Sequence, residues 1–151
     1  MAITILDENN LSLGLNLILN SFIEFESSNL SQEGIDEFQK FISESSLKQK
    51  LEKKELELFC YSINSEVIGI LGLKNNSHIS LLFVKKSFTK QGIGTKLIEF
   101  AKCKYQESRI KKLTVNSSVY GKEFYKKLGF KQQNNEICFN GLKFTPMIKI
   151  F

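Results

Sequence analysis

Apolar residues recur along this chain with two periods, and the change between them divides it. Leu11, Leu15, Ile18, Phe22 and Phe25 follow at steps of four and three, one face of an amphipathic helix. Ile35, Phe38, Phe41 and Ile42 form a second stripe behind the helix start Ser31-Gln32-Glu33-Gly34. The charged stretch Lys48 to Glu55 reads as a helix end or solvated loop. Leu56 to Ile63, Val67 to Leu73 and His78 to Val84 are short β-rich runs. Polar turns at Asn64-Ser65-Glu66 and Lys74-Asn75-Asn76-Ser77 separate them, as in an antiparallel meander. Helical spacing returns at Leu97, Ile98, Ala101 and Tyr105. Lys112 to Val115 then reads as a strand, and Val119 to Leu128 as a short helix closed by Gly129. Phe130 to Phe139 and Leu142 to Ile150 read as strands joined at Asn140-Gly141, a strong hairpin signal. Pro146 demands a bulge or an edge in the last of them.

With Met1 to Leu6 as a first strand, the order is β-α-α-β-β-β-α-β-α-β-β. That is an α+β fold, a mixed sheet of about seven strands flanked by about four helices. The unit from His78 to Val115 supplies its parallel pair through a right-handed crossover. At 151 residues the chain fits one domain, residues 1–151, able to bury a core without metals or disulfides.

Composition narrows the classes. No apolar run approaches the roughly 20 residues of a membrane helix. Leu11 to Phe25 is cut by Asn16, Asn20 and Glu24 and follows no basic region, unlike a signal peptide. Cys60, Cys103 and Cys138 are dispersed, with no metal-ligand spacing. A cytoplasmic protein with small buried thiols and no metal is expected. The net charge of +5 is unevenly spread: Lys85 to Lys131 holds 13 Lys/Arg against 3 Asp/Glu, the rest 8 against 13. One face should therefore meet an anion, either a polyphosphate or nucleic acid.

A polyphosphate has a candidate cradle. The run Lys90-Gln91-Gly92-Ile93-Gly94-Thr95 lies between a β-rich strand and a helix. Gly92 and Gly94 admit close backbone approach and positive φ, and the first amides of the helix can hold phosphate oxygens. Lys90 and Lys96 add charge. The run is neither a Walker A loop nor a GxGxxG fingerprint, since Leu97 stands where the third glycine belongs. A glycine pair in a βα turn also occurs for packing alone.

Taken with its neighbours, the turn resembles motif A of the GNAT superfamily of acyl-CoA N-acyltransferases, Arg/Gln-x-x-Gly-x-Gly/Ala. Here it reads Thr89-Lys90-Gln91-Gly92-Ile93-Gly94, with Thr89 departing from the pattern at its first position. His78 to Val84 is similar to the family's central strand. Val115-Asn116-Ser117-Ser118 and Glu123-Phe124-Tyr125-Lys126-Lys127-Leu128-Gly129-Phe130 are similar to motif B. The resemblance spans roughly residues 56–151 and implies a sheet splayed into a V, with acyl-CoA in the cleft. It implies that backbone groups of Gln91 to Thr95 grip the pyrophosphate. Leu82, Phe83, Val84 and Asn116 would face the pantetheine arm, and Tyr125 would protonate the leaving thiol.

The implied activity is acetyl transfer from acetyl-CoA to a primary amine in a ternary complex. An alkylamine with a pKa near 10.4 needs a proton acceptor at neutral pH. His78 is open to two readings, that acceptor or a strand-end histidine bonded to the neighbouring turn. Phe22, Phe25 and Glu26, with Glu24, are candidates for the acceptor site. The acidic excess outside the motif region favours a cationic small-molecule or peptide amine. A non-catalytic acyl-CoA-binding module on the same fold is the first rival. Nucleic-acid binding is disfavoured by the absence of any recognised signature. Monomer and homodimer both remain open.

Overall fold

The computed structural model describes residues 2–105 and 111–151; Met1 lies outside them. The chain begins with β1 (Ala2–Leu6) and α1 (Ser12–Ser21), which runs into a π-helical turn at Phe22–Glu26. Helices α2 (Gln32–Phe41) and α3 (Glu44–Glu52) follow, then strands β2 (Leu56–Ile63), β3 (Glu66–Lys74) and β4 (His78–Val84). Helix α4 (Ile93–Tyr105), β5 (Lys112–Ser117) and α5 (Lys122–Lys127) lead to β6 (Lys131–Gln132), β7 (Ile137–Phe139) and β8 (Leu142–Ile150). They build an α+β fold on an eight-stranded sheet, ordered β1-β2-β3-β4-β5-β8-β6 with β7 also on β8. Every described pairing is antiparallel except β4 with β5.

Local chemistry accounts for most boundaries. Ser31 and Ser43 cap α2 and α3, their hydroxyls accepting from the Gly34 and Ser46 N–H groups at 3.3 Å. The β2–β3 and β7–β8 turns place Asn64-Ser65 and Asn140-Gly141 at positive φ, as tight hairpins require. Helix α5 ends in a Schellman motif: Phe130 N–H donates to the Tyr125 carbonyl (3.0 Å) and Gly129 N–H to that of Lys126 (3.0 Å), with Gly129 at φ +94. This closure brings the Tyr125 and Phe130 rings to 5.3 Å.

Lys48 to Glu55 is the end of α3 and the turn after it, with Leu47 and Leu51 burying one face of the helix. Three expectations need correction. Phe130 to Phe139 is not one strand; it breaks into β6 and β7. Pro146 sits at neither an edge nor a bulge. Its carbonyl accepts from Gln133 N–H (2.8 Å), so its backbone faces the gap between β6 and β7, where no ladder donor is needed. The thiols also divide, with Cys60 buried but Cys103 and Cys138 exposed.

Two cores cover the two faces of the sheet. Ile18, Phe22, Leu47 and Leu51 from the α1–α3 layer pack with Leu58, Ile70, Leu81 and Phe83. Ile93, Leu97 and Ala101 of α4 and Tyr125 of α5 pack with Phe59, Leu71, Ile79 and Val115. Strand β4 serves both through a bulge. Leu81 pairs with Gly72 and Ile79 with Leu73, leaving Ser80 as an extra residue. The side-chain phase switches there. Leu81 and Phe83 face α1–α3, whereas Ile79 joins Leu82 and Val84 on the α4 side.

The β7–β8 turn is wedged against the start of α2. A Cβ on Gly34 would lie 2.1 Å from the Gly141 carbonyl oxygen, and one on Gly141 would lie 2.4 Å from Gly34 N. In an isolated helix Gly34→Ala would gain about 1 kcal/mol. Here backbone must move, and overpacking costs about 1–3 kcal/mol. Gly34→Ala should therefore lower the urea midpoint at unchanged m-value; a raised midpoint would disprove the close approach.

Candidate active site

Strands β4 and β5 pair only at His78 with Thr114 and Ile79 with Val115. Beyond those residues they diverge, and a cleft of about 1080 Å³ occupies the opening. The direction of the β4 backbone follows from one bond. Lys85 N–H donates to the Ile68 carbonyl on β3 (2.7 Å). Main-chain groups alternate along a strand, so Phe83 and Leu81 also turn theirs toward β3. Those of Leu82 and Val84 point the other way, into the opening. Of the three strand residues expected to offer backbone there, Phe83 contributes its side chain instead.

The glycine turn stands at the α4 side of this opening. Lys90 has φ +63 and Gly92 φ +80, where a Cβ on Gly92 would meet nothing within 4 Å. The first bond of α4 runs from Lys96 N–H to the Gly92 carbonyl (3.0 Å). The amides of Ile93, Gly94 and Thr95 thus precede the helical ladder and are free to take an anion. Gly94 has a packing reason as well, since a Cβ there would lie 3.1 Å from the Phe124 ring. Lys90, Gly92, Ile93, Gly94 and Thr95 all line the cleft; Gln91 does not, and its side-chain amide leans on the Ser87 carbonyl (3.5 Å). Thr89 lines the cleft and donates its hydroxyl to the Lys86 carbonyl (2.9 Å). The turn therefore fits a pyrophosphate through backbone rather than through a side chain at position 89.

Four further candidates meet in the same cleft. Tyr125 is buried, its ring edge-on to Phe124 (5.2 Å) and Phe130 (5.3 Å). Burial, and then the charge of Glu26, push its phenol above the ordinary value. Glu26 ends the π-helical turn and accepts from the Ser118 hydroxyl (3.0 Å), which itself accepts from Gly121 N–H (3.0 Å). Burial holds the Glu26 carboxyl above the usual range, and the Ser118 bond opposes it. His78 lies at the closed end, its Nδ1 within 2.8 Å of Thr114 Oγ1. Burial and the Lys74 ammonium keep that imidazole below its ordinary value. Asn116, exposed at the end of β5, lines the cleft too. Glu24 does not; it turns outward to pair with Lys86 (3.6 Å).

Phe22 and Phe25 also line the cleft, and Phe25 stacks on Tyr120 at 4.9 Å. Two features leave little trace in the sequence. One is Ser118, whose spacing to Gly121 in Ser-x-x-Gly is a local turn signal. The other is the π-helical turn, since the apolar steps run through it unbroken.

A mixed sheet opened between two parallel strands, with an anion-binding helix start at its mouth, is the architecture of an acyl-CoA N-acyltransferase. Residues 26–151 match the acetyltransferase (GNAT) domain family, and the chain belongs to that family. The whole fold is similar to that of a GCN5-related N-acetyltransferase from Rhodopseudomonas palustris, with TM-score 0.84 and 21% identity over 99% of this chain and 95% of that one. It is also similar to the PaiA N-acetyltransferase of Thermoplasma acidophilum, solved with coenzyme A, with TM-score 0.81 and 22% identity over 100% of both chains. An aminoglycoside 6'-N-acetyltransferase from Enterococcus faecium is more distant, with TM-score 0.67 and 17% identity over 99% and 97%.

The Glu26 environment has a consequence for stability. A carboxyl raised in the folded state binds more protons folded than unfolded. Its stabilising contribution is complete below about 4.5 and is lost as pH rises through the folded value. Glu26→Gln should therefore have a higher denaturation midpoint than wild type at pH 7, the gap closing as pH falls toward 4.5. A gap that is absent at pH 7 would show that the carboxylate is not held in a dry site.

Proposed function

We propose that the protein is an acetyl-CoA-dependent N-acetyltransferase acting on a primary amine by direct transfer in a ternary complex. The observation that carries this reading is the opening between β4 and β5. Free backbone of Leu82 and Val84 edges it, unpaired α4 amides stand at its mouth, and the Tyr125 phenol lies in its wall. When bound, acetyl-CoA would supply an activated thioester as the acyl donor, its thiol being the leaving group once the amine has added to the carbonyl.

The residues divide the work. The amides of Ile93, Gly94 and Thr95, with Lys90 beside them, hold the pyrophosphate. The backbone of Leu82 and Val84 takes the pantetheine arm as a neighbouring strand would, and Asn116 flanks it. A main-chain N–H of this stretch donates to the carbonyl oxygen as negative charge develops there. Tyr125 keeps its proton across the neutral range, so a donor is available to a departing thiolate whose reference pKa is about 8.5. His78 accepts the amine proton through water, and the lowered value of its imidazole, which keeps it neutral at pH 7, supports that role.

Free-thiol release with acetyl-CoA and an amine panel tests the activity. Tyr125→Phe should lower kcat by roughly 10- to 10³-fold with acetyl-CoA affinity nearly intact. An unchanged kcat would remove Tyr125 from the chemistry. If His78 accepts the proton, wild type shows an acidic limb in its pH–rate profile below about 6.5, and His78→Ala loses it. A variant that keeps this limb would assign the proton to another group.

A further inference from the structure

The acceptor side of the cleft is the face covered by α1–α3, and its lining is unusual in two respects. Phe22, Phe25, Phe38, Phe41, Phe83 and Phe144 all contribute to it, from the π-helical turn, α2, β4 and β8. The rings are organised. Phe22 and Phe38 stack at 4.4 Å and 9°, and Phe41 tilts against Phe38 at 5.7 Å. The charge balance of the cleft also runs against a polycation. Its lining carboxylates are Glu26 and Glu37, whereas Lys74, Lys127 and Lys143 bring three ammonium groups besides Lys90 at the pyrophosphate turn. The acidic excess seen in the sequence therefore lies mostly outside the cleft.

Within this wall Glu26 has a defined place. Its carboxylate is held by the Ser118 hydroxyl, beside the stacked Phe25 and Tyr120 rings, close enough to Tyr125 for its charge to act on the phenol. We propose that the acceptor is a primary monoamine with an aryl or alkyl body, its amine head at Glu26 and its body against the phenylalanine wall. This rests on the acetyl-transfer reading and specifies its substrate class. One ammonium matches one partly buried carboxylate, whereas each further charge on a polyamine or aminoglycoside would be desolvated beside phenyl rings and lysines.

Each methylene moved from water into such a wall is worth roughly fourfold in affinity. The test is a linear series from propylamine to hexylamine with 2-phenylethylamine, compared with spermidine and kanamycin. Two readouts are used: kcat/KM by free-thiol release, and calorimetric binding of the same amines to the protein–coenzyme A complex. Both should rise about fourfold per methylene, with hexylamine and 2-phenylethylamine exceeding spermidine by at least about 10-fold. Phe38→Ala should flatten the series while the acetyl-CoA Kd stays unchanged; Phe38→Leu serves if the alanine variant does not fold. Glu26→Gln should lower kcat/KM for every amine about 10-fold or more without altering the slope. A flat series, or spermidine preferred, would overturn the substrate class and leave the acetyl-transfer reading standing. Graded binding of the series without acetylation of any amine would support the subsite and sink acetyl transfer.

Discussion

The active-site region depends on one missing partnership. A strand in the interior of a sheet normally has both edges paired, because buried N–H and C=O groups left without partners are costly. Strand β4 pairs on the β3 side at every residue but Ser80, and on the β5 side at only two. The divergence is held from both directions. Leu81 and Phe83 of β4 pack under α1–α3 while Ile79, Leu82 and Val84 pack toward α4, and β5 is committed over its six residues to β8. The gap leaves an edge of β4 available for a ligand that can imitate a strand.

The two sides of that gap are built from different materials. At the α4 side recognition falls to backbone: helix-start amides, a turn with two residues at positive φ, and the free edge of β4. In the proposed reading such a site need not depend on Arg or Gln at the position of Thr89, because the amides come from the backbone. At the α1–α3 side the wall is made of side chains, and its chemistry changes with each substitution. In the proposed reading, acyl-donor binding is therefore the property less sensitive to side-chain substitution, and acceptor choice the more plastic one.

Much of this was readable in the sequence where local rules suffice. The Asn140-Gly141 hairpin, the capped start at Ser31 and the Gly129 closure of α5 are each determined by residues a few positions apart. The same holds for the Lys90–Thr95 turn, whose glycines betray a tight backbone path. What stayed hidden depends on distant partners. Nothing near Ser80 marks a bulge, because the extra residue is defined only against β3. Leu47 and Leu51 are too few to reveal α3 until the sheet buries them. The break after Gln132 contains the turn residues Asn134-Asn135, but its place follows from how β8 is shared between β6 and β7. A charge tally along the chain also does not say which carboxylates reach the cleft; of the acidic residues only Glu26 and Glu37 line it.

The π-helical turn at Phe22–Glu26 gives this plasticity an unusual route. It accommodates one residue beyond the α-helical repeat, so the positions within it are set by chain length as much as by side-chain identity. Losing a single residue within it would restore the regular repeat while leaving the flanking backbone close to where it stands, because the wide turn absorbs the extra residue locally. The side chains presented to Ser118 and Tyr120 would change with little change in the backbone around them. The acceptor wall can thus be altered by the length of this turn as well as by its side chains.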